Sequence, residues 1–70
     1  MDKKRERFKR LASQRTNLIL QRLKVLGNCS NRSAYEYTEE EVNKIFSEIE
    51  KKVREVKSKF TFDRHREFTL

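Results

Sequence analysis

Apolar residues along this chain recur at three- and four-residue intervals in two separate blocks, the spacing of one face of an α-helix. In the first block Phe8, Leu11, Ala12, Ile19, Leu23 and Leu26 share a stripe about 120° wide, which predicts a helix over residues 3–26. In the second, Val42, Ile45, Phe46, Ile49, Val53, Val56 and Phe60 share a charge-free stripe of about 100°, which predicts a helix over residues 39–60. Arg15 and Arg22 fall inside the first stripe, seven residues apart. Desolvating an unpaired guanidinium costs several kcal/mol. These two are expected to snorkel outward, or to meet carboxylates or polar loop groups across a hairpin or in a second subunit; contact with an external ligand is the other reading.

Between the blocks lies a connector, residues 27–38, rich in stop and start signals. Gly27 follows the last periodic residue, where a helix end commonly takes a left-handed residue, so the first helix is expected to stop there in that conformation. Asn28, Ser30, Asn31 and Ser33 have short polar side chains that compete with helix by bonding nearby backbone. In Tyr37-Thr38-Glu39-Glu40-Glu41-Val42, Thr38 and Glu41 form the reciprocal capping box of a helix start, and Tyr37 and Val42 stand at the staple positions. Three carboxylates in that first turn suit the positive end of the helix dipole. The predicted fold is therefore all-α: a two-helix antiparallel hairpin over residues 1–60, completed by dimerisation into a four-helix bundle or by docking on a partner. The tail, residues 61–70, alternates weakly through Phe60, Phe62, Phe68 and Leu70 and is left unassigned as loosely ordered.

The run LGNCSNRSAYEYTEEEVNKIF, Leu26 to Phe46, resembles a segment of small uncharacterised bacterial proteins. The resemblance implies that Asn28, Asn31, Arg32, Ser33, Tyr35 and Tyr37 belong together as a set. It brings no activity with it.

Composition changes the picture in one respect: it makes the hairpin alone look too small. Seventy residues suffice for one domain, and a chain of this size buries only about 60% of its unfolded surface. One cysteine closes no intramolecular disulfide, and no Cys/His cluster offers a zinc site, so self-association into a homodimer is the expected remedy. Charged residues at 41%, no proline and one glycine favour helix over sheet. No run of 18 apolar residues occurs, and the charged N-terminus has no apolar stretch behind it, so neither a membrane span nor a secretory signal is expected and a cytoplasmic location is. Without a secretory context, the sequons at Asn28 and Asn31 read as turn chemistry.

The net charge of +7 is segregated. Residues 1–26 hold nine Lys/Arg against Asp2 and Glu6, whereas residues 27–70 hold nine of each sign. In the second helix Glu40/Lys44, Glu48/Lys52, Glu50/Arg54 and Glu55/Lys59 are expected to pair at i,i+4. Six bases in the first ten residues oppose the helix dipole, so fraying is expected at that end. Lys3, Lys4, Arg5, Arg7, Lys9, Arg10 and Lys24 are candidates for tracking a phosphate backbone. Phe8 is the only ring among them, which argues against single-strand stacking, and the connector is too long for a helix-turn-helix.

Catalytic inventory is thin. His65 is the only histidine, the carboxylates have lysine neighbours, and Gly27 alone makes no phosphate-cradling loop. No enzyme activity, cofactor, metal or small-molecule substrate is expected, and Cys29 reads as an ordinary turn residue. Asn31, Arg32, Tyr35 and Tyr37 form a candidate interaction loop, since arginine and tyrosine are common binding anchors; the competing reading has them hold the connector and cover the hairpin. Two functions remain open. One is an accessory or regulatory protein that holds nucleic acid on its basic first helix; the other is a protein-protein interaction module docking by its apolar or loop surface, with the basic face solvated or on an acidic partner.

Overall fold

The computed structural model describes residues 3–62. Among them are two α-helices, α1 (Lys3–Gly27) and α2 (Glu39–Lys57), one short 3₁₀ turn (Asn28–Ser30) and no strand. The chain divides into two units, Met1–Glu36 and Tyr37–Leu70.

The first unit is α1 with the turn that ends it. The helix stops one residue later than its spacing predicts, and by a different device. Gly27 has φ −58° and ψ −26°, ordinary right-handed values, and among the described residues no backbone φ is positive. The left-handed glycine expected there is absent. The chain instead tightens into the 3₁₀ turn, with the Asn31 amide donating to the Asn28 carbonyl at 3.5 Å. Such a turn meets the orphan carbonyls of a helix end without any residue in the left-handed region. No side chain of α1 is buried; Leu11, Ala12 and Leu26 are half-buried, and Phe8 remains 50% exposed.

The second unit starts on the predicted cap. The Thr38 hydroxyl accepts from the Glu41 amide at 3.1 Å, and the Glu41 carboxylate accepts from the Thr38 amide at 2.9 Å and from its hydroxyl at 3.1 Å. With φ −104° and ψ 157° Thr38 is extended, so the helix begins abruptly, and the Val42 amide donates to the Thr38 carbonyl at 3.1 Å to close its first turn. Tyr37 and Val42 are half-buried, as residues at staple positions should be.

The end of α2 falls three residues short of the predicted Phe60. The Ser58 hydroxyl donates to the Glu55 carbonyl at 2.6 Å, taking up an acceptor that the helix would otherwise use. Lys59 and Phe60 then bond three residues back, to Val56 and Lys57, each at 3.1 Å. The last turn is thus tightened rather than unravelled. Thr61 and Phe62 are irregular, and the rest of the tail, with His65, lies outside the described residues.

Of the four i,i+4 pairs expected on α2, none closes. Lys52 Nζ lies 3.0 Å from Glu55 Oε2, an i,i+3 pair in which both side chains are more than half exposed. Exposed ion pairs gain little over hydration, so small rotamer preferences choose among acidic neighbours.

Gly27 provides a sharp check, because a Cβ there would meet nothing within 4 Å. With negative φ and open space, Gly27→Ala should raise stability by about 0.4–1 kcal/mol by restricting the unfolded chain. Thermal or urea unfolding followed by circular dichroism measures it; a loss of stability would indicate a left-handed glycine after all.

Candidate nucleic-acid interface

Helical geometry sorts the seven candidate cations of α1 into unlike groups. At 3.6 residues per turn, Lys3, Arg7 and Arg10 fall within about 60° of arc. They line one open hollow together with Glu6, all four side chains being exposed. Glu6 was not among the expected site residues, although its spacing from Lys3 and Arg10 places it beside them. With three cations and one carboxylate, the cluster is net positive.

The other four candidates do not join that cluster. Lys4 follows the line of Arg15 and Arg22, on the apolar side. Arg5, at the same angle as Leu23, falls on the edge of the apolar side, and Lys9 projects from the face beyond it. Lys24 stands fourteen residues beyond Arg10, about 21 Å along the axis at 1.5 Å per residue. The basic segment is a collar of charge around the first two turns and a half of α1, with one ordered face. Arg15 and Arg22 are both exposed.

Asn31 is a structural residue of the connector. Its side-chain Oδ1 accepts from the Ser33 amide at 3.0 Å, and its carbonyl accepts from the amides of Ala34 at 3.1 Å and Tyr35 at 2.9 Å. One asparagine thereby satisfies three successive donors. Arg32 and Tyr35 lie in or next to this turn and are exposed, Tyr35 by 55%. Tyr37 belongs to the second unit, half-buried at the entry to α2. The candidate loop residues are therefore divided between the units. Cys29 is exposed in the 3₁₀ turn, and among the described residues no group of His, Cys, Asp or Glu is placed to hold a metal ion.

These features define a small basic helical protein: a cationic collar, an asparagine-centred connector and a capped second helix. None of its described helices is long and apolar enough to cross a membrane. No family model, curated protein or solved structure matches the chain.

The role of Asn31 is separable by amide exchange. Asn31→Ala should remove protection at the Ser33 amide while leaving Ala34 and Tyr35, which bond to the main-chain carbonyl, protected; the lost bond is worth about 0.5–1.5 kcal/mol. Equal loss at all three amides would mean that the whole turn depends on the side chain.

Proposed function

We propose that this protein is a non-enzymatic accessory or regulatory protein that holds nucleic acid by its phosphate backbone on the basic start of α1. The observation that carries this reading is the gathering of Lys3, Arg7 and Arg10 on one face, within residues 1–26, which hold the whole excess charge of the chain. Side chains repeating at one-turn intervals match a linear polyanion, and they attract it without reading sequence. Lys4, Arg5 and Lys9 add to the field around that face. They also keep a long anion attracted whichever way the helix turns.

The reading includes a finer fold: the helices close as an antiparallel hairpin, and two chains associate into a four-helix bundle. Exposed apolar lines on both α1 and α2 support it, since Ile45, Phe46 and Val56 are each more than 40% exposed and a charge-free stripe of this length seldom faces water. The same exposure favours the second reading, a protein-protein interaction module without a nucleic-acid role. An acidic protein would then take the place of nucleic acid on the collar.

A titration of generic duplex DNA and RNA at several salt concentrations separates the two functions. Three phosphate contacts give a log–log slope near −2.7 on duplex DNA, at about −0.9 per contact. Replacing Lys3, Arg7 and Arg10 together by alanine should flatten that slope, whereas Lys24→Ala should leave it nearly unchanged. Absence of binding at low salt would remove the nucleic-acid function and leave the interaction module. Light scattering tests the bundle independently: a mass of twice 8.6 kDa is expected at high protein concentration, and a monomer at every concentration would rule dimerisation out.

A further inference from the structure

The bases at the start of α1 fall on two opposed sides of the helix. At about 100° per residue, Lys3, Arg7 and Arg10 centre on one side, and Arg5 and Lys9 centre about 150° away. All five side chains are exposed. Two edges separate these basic sides. The broader edge carries Lys4 with Phe8, Leu11 and Ala12. The narrower carries Ser13, Glu6 and Asn17, with Glu6 about midway between the basic sides. A single line of phosphates engages only one of two opposed sides, whereas a helix lying in a groove meets a phosphate backbone on each flank. Phosphate repels the Glu6 carboxylate, and a position midway between two phosphate walls keeps it well away from both.

We infer that the start of α1 lies in the major groove of duplex DNA, with Lys3, Arg7 and Arg10 toward one phosphate backbone and Arg5 and Lys9 toward the other; the inference rests on the nucleic-acid reading above. The dimensions agree. A helix with its side chains is about 10–12 Å across, and the major groove of B-form DNA is about 12 Å wide. The minor groove, at about 6 Å, is too narrow for a helix. Duplex RNA is a poorer match, because its major groove is deep and narrow. With the narrower edge toward the groove floor, Ser13, Glu6 and Asn17 meet base edges, where hydroxyl, carboxylate and amide groups find donors and acceptors. A carboxylate there accepts from a cytosine amino group instead of facing phosphate. The broader edge, with Phe8, turns away from the DNA. On this placement five phosphate contacts form on a duplex, two more than the Lys3, Arg7 and Arg10 face makes by itself.

The test uses the full chain and three probes of one mixed sequence: duplex DNA, the matching RNA duplex and the single DNA strand. Titrated at several salt concentrations, duplex DNA should give a log–log slope near −4.5, from five contacts at about 0.9 each, and the single strand a slope near −2.1, from three at about 0.7. At equal salt, duplex DNA should bind at least about tenfold more tightly than the RNA duplex. Arg5→Ala with Lys9→Ala should flatten the duplex slope by about 1.8 and leave the single-strand slope unchanged. Alanine is a strong helix former, and circular dichroism confirms that the variant keeps its helices. Methyl green, which occupies the major groove, should displace the protein from duplex DNA, and distamycin, which occupies the minor groove, should not. Equal affinity for the two duplexes, an unchanged duplex slope in the Arg5 and Lys9 variant, or displacement by distamycin alone would overturn the groove placement while nucleic-acid binding stands. Failure to bind any of the three probes at low salt would overturn the nucleic-acid reading, and this inference with it.

Discussion

Apolar side chains on a helix need a second surface, and a single helix cannot supply one to itself. No described side chain in either unit is buried; the best covered are half-buried residues such as Leu11, Leu26, Val42 and Ile49, shaded by neighbours one turn away. Neighbours on one helix remove only part of a side chain's surface from water, so most of the hydrophobic stabilisation available to these stripes, about 25 cal/mol per Å², is still to be gained. That constraint gives α1 and α2 a reason to find partners. It also explains why so many of the interactions holding the described structure are local polar ones.

Those local interactions are unusually complete at two places. Thr38 and Glu41 satisfy each other at the start of α2, using both main-chain amides and both side chains. Asn31 does the corresponding work in the connector, with one side-chain and one main-chain oxygen serving three amides. Because these bonds span two to four residues, they form without tertiary contact. The start of α2 and the turn after α1 are therefore held by bonds within their own segments.

Charge is arranged on a different principle. The cations near the start of α1 stand where the helix dipole is least favourable to them, and they are spread around the helix. That local cost is the starting point of the anion-binding role proposed above. The face formed by Lys3, Arg7 and Arg10 gives the charge a direction, and Glu6 among them offsets part of it.

Much of the secondary structure was legible in the sequence, because periodicity and capping are short-range. Both helices, the first residue of α2 and the reciprocal bonds of Thr38 and Glu41 followed from spacing and side-chain chemistry alone. The grouping of the cations was not read from the list of bases, since it depends on which of them share a helical face. The manner of ending was not legible either. Gly27 can adopt right- or left-handed backbone at similar cost, so its identity does not choose, and the three-dimensional structure shows right-handed values followed by a 3₁₀ turn. At the end of α2, Ser58 reaches back to the Glu55 carbonyl, and Lys52 takes Glu55 in preference to Glu48. Such choices turn on rotamers and angles that differ by fractions of a kcal/mol. The sequence by itself determined where each helix forms and which residues make its apolar line; only the three-dimensional structure decided how each helix stops and which charges stand side by side.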